Sequence, residues 1–296
     1  MDWDKLRVFH VVAESGSFTR AGETLNLSQS AVSRQIRSLE DSLRLPLFHR
    51  HARGLILTEQ GELLYRTAHE VFAKLAMTEA ILTESKERPK GLLRVTTTVG
   101  FGSIWLTRHM GEFMDLYPEI TVSLLVADVD LDLSMREADV AIRISVPQQA
   151  DLIQRHLFTG HFGIYAAPAY LNRFGTPNKI EDLLEHRVVS FGEDLPLPFV
   201  DLNWLVEEVR KIEPEFKPAL TINNLYGTFR AIEAAIGIGA LPAFMADERA
   251  QLVRILTKVE APKAEAYFVY PAELRDSARI VVFRDFLLRK IAETRF

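Results

Sequence analysis

Polar and basic side chains share one side of a short segment at residues 27–40, "LSQSAVSRQIRSLE". At helical spacing, Val32, Ile36 and Leu39 fall on the other, apolar side. The polar side carries amide, hydroxyl and guanidinium groups and no carboxylate: Gln29, Ser30, Ser33, Arg34 and Arg37. Glutamine can pair bidentately with adenine, arginine with guanine, and serine with either base. Arginine also suits phosphate. The segment therefore has the chemistry of a helix that contacts DNA, although a solvated polar face without a partner is the simpler alternative.

A second basic segment follows and favours the DNA interpretation. Pro46 ends the helix, and "LFHRHARGLILT" predicts two short strands around a turn at Gly54. Such a hairpin is a wing, and its tip would carry His49, Arg50, His51 and Arg53. Basic residues on a wing contact backbone phosphate or the adjacent minor groove. For the two histidines, simple surface exposure is preferred to a metal site, because no third ligand is near in sequence.

Three short helices over residues 3–43 would position the polar face. The first carries apolar residues at spacings of three and four, and "ESGS" ends it. Ser17 can cap the second helix, and Ser28 can cap the third by accepting a bond from an early backbone N–H. Two helices joined by so short a turn, the second with a basic face, match the helix-turn-helix pattern.

A long helix is predicted next. Thr58 can cap it, and it would run from Glu59 to Arg88, about 45 Å at the usual helical rise. Apolar or small side chains follow a heptad-like seam of alternating fours and threes: Leu64, Ala68, Val71, Leu75, Thr78 and Leu82. Such a seam predicts packing on another helix, and we favour a second copy of this helix, which would make the protein a dimer. Packing on the protein's own second domain is the alternative.

Charge and composition restrict the function classes. The net charge is −5, but residues 1–90 contain 13 basic and 12 acidic residues, and residues 28–53 contain five arginines against Glu40 and Asp41. A local basic patch is enough to attract phosphate, since the field is screened within about 10 Å. The chain has no cysteine, which excludes disulfides, thiolate nucleophiles and Cys-based zinc sites. The N-terminus lacks the pattern of a secretion signal and no apolar stretch is long enough for a bilayer, so we expect a cytoplasmic protein without a membrane partner.

A second module follows the breaker "ERPKG" at 87–91, which is the expected hinge. From residue 92, β-branched apolar runs alternate with helical patterns, which predicts βαβ units on a parallel sheet. The fold class is therefore α/β, with a winged helix-turn-helix domain at 1–58, a linker helix and hinge at 59–90, and a further domain at 91–296.

The ends of the predicted strands supply a candidate ligand site, since ligands of open α/β sheets bind beyond the carboxyl ends of strands. "VTTTVGFGS" leads from a strand into a helix and offers hydroxyls and backbone amides suited to an anion: Thr97, Thr98, Gly100 and Ser103. Mere helix capping is the alternative and is compatible with that role. Facing candidates at or near other strand ends are Asp128, Arg143, Ser190, Asn223 and Asn224. Arg143 could be a cleft cation or the partner of an acidic neighbour. Trp105 replaces the third glycine of a dinucleotide fingerprint, so we exclude NAD and expect no cofactor.

Some fifty residues, "FTRAGETLNLSQSAVSRQIRSLEDSLRLPLFHRHARGLILTEQGELL", resemble the winged helix-turn-helix of LysR-type transcriptional regulators, and most of all the LsrB/VtlR branch. The resemblance implies a dimer of dimers, hence a homotetramer, that binds bent double-stranded operator DNA and responds to a small effector. It also admits RNA polymerase as a partner. By position, Gln29, Ser30, Ser33 and Arg34 would lie near bases and Arg37 on phosphate, while Arg50 and Arg53 would act from the wing. Ser28 and His51 complete the expected DNA contacts.

The remaining chain resembles the effector domain of the same family, which is similar to periplasmic binding proteins. The first lobe would comprise residues 91–160 and 265–296 and the second residues 161–264, with a small anionic effector in the cleft between them. One departure is Arg44, where the family usually has glycine. A left-handed backbone costs a non-glycine residue on the order of 1 kcal/mol, so Arg44 either recovers this through a phosphate contact or the helix ends differently.

Two other classes of protein are alternatives to a regulator. An intracellular solute-binding protein with an unrelated N-terminal domain would not need the basic face and wing. An enzyme would need reactive groups, but the chain has no G-x-S-x-G elbow, phosphate loop or H-E-x-x-H motif. We therefore predict no catalytic residues and no metal site.

Overall fold

The structure is a computed structural model, and it describes residues 2–51, 54–83, 89–129, 131–133, 137–144, 152–192, 201–246, 252–294 and 296. The chain divides into two compact units, Met1–Thr83 and Glu84–Phe296, and each is described separately.

The N-terminal unit consists of short helices, a hairpin and one long helix. In chain order these are α1 (Trp3–Ser15), α2 (Phe18–Leu25), α3 (Gln29–Leu43), β1 (Phe48–His51), β2 (Gly54–Leu57) and α4 (Glu59–Thr83). The three predicted helices are therefore present, and the apolar sides of α1 and α3 meet in one core: Val8, Phe9, Val12, Val32, Ile36 and Leu39 are all buried. Burial of these side chains is the main source of stability in so small a unit.

Local capping fixes where each helix begins. The Ser17 side chain accepts a hydrogen bond from the backbone N–H of Arg20, and the Ser28 side chain accepts one from Ala31 at 3.2 Å. Both predicted caps are confirmed. The turn between α2 and α3 has Asn26 in the left-handed conformation, with φ 54°. Gly22 allows this turn to close, because a Cβ there would lie 2.6 Å from the Leu27 carbonyl oxygen.

The start of α4 is joined to the segment before the wing. The Thr58 hydroxyl donates to the Pro46 carbonyl at 2.8 Å and accepts from the Gly61 N–H at 3.0 Å, which confirms the predicted cap. The Thr58 N–H donates to the Leu47 carbonyl at 3.0 Å. A Cβ at Gly61 would lie only 2.1 Å from that same carbonyl oxygen. The absence of a side chain at Gly61 therefore allows α4 to approach the backbone of Leu47.

Only part of the predicted heptad-like seam of α4 packs within the N-terminal unit. Leu64 packs on the core and Ala68 is buried, but Val71 and Leu75 are 38% and 49% exposed. The side chains of Thr78 and Leu82 lie outside the described residues, as do residues 84–88, so α4 is described only as far as Thr83. Dimerisation through the seam stays a prediction.

A neighbouring aromatic stripe of α4 makes the contact with α1, and it was not predicted. The Phe72 ring lies 4.8 Å from that of Trp3, and the Tyr65 ring stacks on His10 at 5.5 Å. The Nε2 atom of His10 and the Nδ1 atom of His69 are 2.9 Å apart. The first half of α4 is thus held by the helix that begins the unit.

The C-terminal unit is built on a sheet that joins two lobes. Its strands are β3 (Gly91–Thr97), β4 (Ile120–Val126), β5 (Val140–Arg143), β6 (Leu152–Ala166), β7 (Val189–Phe191), β8 (Leu220–Ile222), β9 (Gly239–Pro242), β10 (Val253–Ile255) and β11 (Lys263–Pro271). The main sheet has the order β10-β6-β11-β5-β3-β4, with β9 also paired to β6, while β7 and β8 form a separate parallel pair. β3 is parallel to both β4 and β5, so these three carboxyl ends meet at one edge.

Helices cover the sheet in both lobes. They are α5 (Val99–Phe101), a π-helical turn at Gly102–Leu106, α6 (Thr107–Leu116), α7 (Pro168–Phe174), α8 (Trp204–Arg210), α9 (Leu225–Glu233), α10 (Ala243–Ala246) and α11 (Ala278–Ala292), with 3-10 turns at Ile180–Glu185 and Ala272–Leu274. The long antiparallel strands β6 and β11 pass between the lobes, as two chain crossings require. Each lobe therefore has its own helices but shares the central strands.

Candidate DNA-binding face and effector cleft

The polar side of α3 is exposed over a fully buried apolar side. Val32, Ile36 and Leu39 are 0% exposed. Ser33 is partly buried, and five other predicted DNA contacts are exposed: Ser28, Gln29, Ser30, Arg34 and Arg37. A DNA-contacting helix must have this separation, because the same helix has to pack on its domain and leave its donors free. Ser28 has a structural task as the helix cap, and its hydroxyl oxygen lies 3.1 Å from that of Ser30.

The guanidinium groups of Arg34 and Arg37 are available. Neither has a hydrogen-bond or ion-pair partner within the part of the chain that the structure describes. The carboxylate of Glu40, one turn beyond Arg37, is directed elsewhere: its Oε1 atom accepts from the backbone N–H groups of Leu47 at 2.8 Å and Phe48 at 3.4 Å. Sequence reasoning missed this role of Glu40, since its partners follow seven and eight residues later. The contact connects the end of α3 to the start of the wing.

Glu40→Ala is expected to destabilise the N-terminal unit by about 1–2 kcal/mol, because the backbone N–H groups of the buried residues Leu47 and Phe48 lose their acceptor. Glu40→Gln keeps one acceptor oxygen and should lose clearly less. Urea unfolding of both variants measures the difference. Equal stability of all three proteins would show that these hydrogen bonds contribute nothing.

The wing is a two-stranded antiparallel hairpin. Phe48 pairs with Leu57, and His51 pairs with Gly54. Gly54 is therefore the first residue of β2 and lies at the closing end of the hairpin, in agreement with the turn predicted at this position. His49 is exposed. Arg53 and the side chains of Arg50 and His51 lie outside the described residues, so their roles stay predictions.

Arg44 ends α3 in the left-handed conformation, with φ 56°. Its N–H donates to the carbonyl of Asp41 at 3.3 Å, and the N–H of Leu45 donates to that of Glu40 at 3.2 Å. This is the double hydrogen-bond closure that glycine usually provides. The alternative of a different helix end is therefore excluded, and compensation of the strain by a phosphate contact stays a prediction.

The predicted ligand residues of β3 and the following helix are close together but differ in accessibility. Thr97 is buried, Thr98 is partly buried and makes no side-chain cap, and Ser103 is exposed. Gly100 is buried at a contact between lobes: a Cβ there would lie 3.2 Å from the Cβ of Leu225 and 3.5 Å from the Sδ of Met245. The edge of the sheet therefore faces α9 and α10 of the second lobe.

Asp128 reaches the same edge from the segment after β4. Its Oδ1 atom accepts a hydrogen bond of 3.0 Å from the Val99 N–H, in the first turn of α5. Its Oδ2 atom is buried and has no hydrogen-bond partner among the described residues. Burial raises the pKa of the Asp128 carboxyl, and the hydrogen bond from Val99 opposes that effect. The Val99 amide, which lies among the residues predicted to bind an effector anion, is thus occupied by the chain's own carboxylate.

The other candidates are more dispersed. Arg143 is buried at the end of β5, its Nη2 atom donates to the Leu131 carbonyl at 2.6 Å, and burial lowers its pKa. Ser190 lies near a strand end as predicted, one residue before the end of β7, and its hydroxyl donates to the Phe191 carbonyl at 3.3 Å. Asn223 is exposed. Asn224 caps α9 by accepting from the Gly227 N–H at 2.7 Å, and Leu225 follows it at the contact with Gly100.

An aromatic cluster between the lobes was not predicted. The rings of Phe101 and Trp105 stack at 4.9 Å, and Phe101 also contacts Phe158 on the crossing strand β6 and Phe244 of the second lobe. The Phe296 ring stacks on Phe158 at 3.7 Å. These residues lie far apart in sequence, so no local pattern could bring them together. The cluster gives the lobes an apolar contact beside the polar edge of the sheet.

The raised pKa of Asp128 predicts a pH-dependent stability. A carboxyl whose pKa is higher in the folded state stabilises the fold below the unfolded pKa, and that stabilisation is lost as the pH rises through the folded pKa. Asp128→Asn removes the buried charge, so it should be more stable than the parent at pH 7 and equal to it below about pH 4. Thermal unfolding from pH 4 to pH 8 tests this. Asp115→Asn, at an exposed position on α6, is the control for the change of charge.

The fold and the two candidate sites define a class: a DNA-binding winged helix-turn-helix joined to a two-lobed ligand-binding domain. Family profiles agree, since residues 3–62 match "Bacterial regulatory helix-turn-helix protein, lysR family" and residues 86–292 match "LysR substrate binding domain". The chain belongs to the LysR family of transcriptional regulators, which confirms the predicted fold class and the regulator function. None of the helices in the described ranges is long and apolar enough to cross a membrane.

Known relatives extend over nearly the whole chain. The HTH-type transcriptional regulator CrgA of Neisseria meningitidis serogroup C (strain 8013) is 31% identical over 292 residues, which cover 97% of this chain and 96% of the relative. The solved structure of CrgA from Neisseria meningitidis has a TM-score of 0.60 at 28% identity and covers 98% of this chain and 99% of its own. Full-length CbnR, solved in a complex with its target DNA, has a TM-score of 0.64 at 19% identity, with coverage of 98% and 100%, and shows the same fold.

Proposed function

We propose that this regulator reads its operator with the exposed face of α3. One observation carries the proposal: Arg34 and Arg37 stand exposed and without partners in the described part of the chain, over a fully buried apolar side. Gln29, Ser30, Ser33 and Arg34 would contact bases, Arg37 would bind phosphate, and Ser28 would fix the first turn of the helix. The wing residues Arg50, His51 and Arg53 would bind the flanking backbone or minor groove.

The C-terminal unit would supply the response to an effector. We propose that the effector binds between the lobes, at the edge formed by Thr97, Thr98, Gly100, Ser103 and Asp128, and that it carries an acid group, as the sequence predicts. The facing residues would be Arg143, Ser190, Asn223 and Asn224. Contact of Gly100 with Leu225 and Met245 supports this, because a ligand there must alter how the lobes meet. An effector that prefers one lobe arrangement changes operator affinity by linkage.

We also propose an oligomeric state, a branch of the family and a cellular location for this protein. The exposed Val71 and Leu75 of the α4 seam support a dimer through this helix, and a dimer of dimers would place four recognition helices on one operator. The resemblance of residues 18–64 supports the LsrB/VtlR branch, and a cytoplasmic location with RNA polymerase as a further partner would fit a transcription regulator.

Fluorescence anisotropy with the DNA upstream of the protein's own gene tests the proposal. We expect the affinity for this DNA to be well above the affinity for random DNA at physiological salt. In a footprinting experiment on the same DNA, we expect a protected segment long enough for four subunits. Affinity equal to that for random DNA would contradict operator recognition by α3.

Alanine at Val71 and Leu75 should reduce the assembled mass in light scattering, whereas an unchanged mass would contradict the α4 interface.

A further inference from the structure

Two buried polar atoms at the edge of β3 and β4 have no partner among the described residues: the Thr97 hydroxyl oxygen and Asp128 Oδ2. Thr97 is only 4% exposed. Leaving such a group without a hydrogen bond is unfavourable by about 1–3 kcal/mol and more for a charged one. A fold that retains two of them at one edge of the proposed cleft therefore indicates that something else satisfies them.

Both residues are held against the same helical start. Thr97 is paired in register with Val126, and a Cβ at Gly102 would lie 2.9 Å from the Thr97 methyl group and 2.3 Å from Val126 Cγ1. Asp128 follows Val126 by two residues and binds the N–H of Val99 through Oδ1. That hydrogen bond fixes the carboxylate and leaves Oδ2 as the atom available for a ligand.

The chemistry of these two atoms restricts the group that can complement them. An ionised carboxylate oxygen only accepts hydrogen bonds, while a threonine hydroxyl can donate and accept. A hydroxyl or amino group satisfies both, because it donates to Asp128 and also exchanges a hydrogen bond with Thr97. A carboxylate in the same place would face another carboxylate and would be repelled.

Resting on the effector cleft proposed above, we infer that the effector presents a hydroxyl or amino group to Asp128 Oδ2, with the Thr97 hydroxyl as its second partner. The ligand class is therefore small hydroxy or amino acids, whose acid group lies away from Asp128. Both atoms are buried in this structure, in the lobe whose Gly100 lies against Leu225 and Met245 of the other lobe. The ligand consequently enters when the lobes separate. When the lobes close, its hydroxyl or amino group donates to the Asp128 carboxylate the hydrogen bond that Oδ2 otherwise lacks.

Isothermal titration of the full-length protein with matched acids tests the inference. The probe pairs are lactate and propionate, malate and succinate, alanine and propionate, and glutamate and glutarate, so that each pair differs only by the hydroxyl or amino group. We expect at least one hydroxy or amino member to bind at least about tenfold tighter than its partner. The lactate and malate arms separate hydroxyl from amine recognition.

Two variants assign any preference to these atoms. Asp128→Asn keeps an acceptor for Val99 but replaces Oδ2 by an N–H donor, so the preference should fall to a ratio near one. Thr97→Val removes the hydroxyl at equal size and should reduce the preference for the hydroxy or amino acid only partly. Asp115→Asn, on the exposed face of α6, should leave this preference unchanged. Circular dichroism of each variant verifies folding.

Three results would overturn the inference: tighter binding of the unsubstituted acids, a preference that survives Asp128→Asn, or no binding of any hydroxy or amino acid of the four pairs. Operator affinity measured in parallel by anisotropy distinguishes this failure from failure of the proposed regulator. Normal operator binding with no acid bound would reject the ligand class alone, whereas loss of specific operator binding would reject the proposed function.

Discussion

Gly61→Ala is expected to destabilise the N-terminal unit by about 1–3 kcal/mol, the typical range of overpacking. The added Cβ would lie 2.1 Å from the carbonyl oxygen of Leu47, which also accepts the N–H of Thr58 at 3.0 Å. That oxygen cannot move without breaking the junction between the wing and α4. Hydrogen exchange of peptides from α1 to α4 measures the loss, and operator affinity should fall with it.

Gly111→Ala is the matched control. Gly111 is also a helical glycine, on α6, and a Cβ there would have nothing within 4 Å. Because alanine favours a helix over glycine by about 1 kcal/mol, this variant should be slightly stabilised. Equal behaviour of the two variants would show that the close approach of Gly61 to Leu47 has no energetic consequence.

Arg34→Ala is expected to weaken specific operator binding by about 1–3 kcal/mol, roughly 5- to 150-fold in Kd, and to relax specificity at one base pair. The reason is the loss of a bidentate contact to a base edge by a guanidinium that has no competing partner in the described chain. Anisotropy with operator variants at that base pair measures both effects.

Arg37→Ala and Arg66→Ala are the two comparison variants for Arg34→Ala. Arg37, assigned to phosphate, should weaken binding to all sequences alike and reduce the salt slope by about one. Arg66 is exposed on α4 and lies outside the proposed face, so its removal should leave affinity unchanged. A base-specific loss at Arg37 but not at Arg34 would reverse the assigned roles.

Much of the N-terminal unit was predictable because its determinants are local. Helical periodicity assigns Val32, Ile36 and Leu39 to the buried side of α3, and the same geometry exposes the arginines. Caps act over three residues, so Ser28 and Thr58 could be recognised from sequence. The wing was also recognisable, since Gly54 stands where the hairpin closes, but its pairing of Phe48 with Leu57 was not, because the sequence does not display strand register.

The effector cleft was predicted only in part. Strand ends located Thr97 and Asp128 near one edge, since parallel strands bring their carboxyl ends together. That Asp128 would occupy the Val99 amide, 29 residues earlier in the chain, was not predictable, because a sequence does not show where a side chain points after the strand has ended. The edge at which the sequence predicts an anion site therefore also contains an acceptor, Asp128 Oδ2, that no described residue satisfies.

The sequence by itself determined the amphipathic recognition helix, its caps, the long helix after it and the alternation that makes an α/β domain, because each depends on neighbours within a few residues. The tertiary structure decided the contact of Gly61 with Leu47, the attachment of Glu40 to the wing, the burial of Asp128 and the aromatic contact between lobes. These features depend on segments that meet only when the chain has folded, and their distances and burial are not encoded in any local spacing.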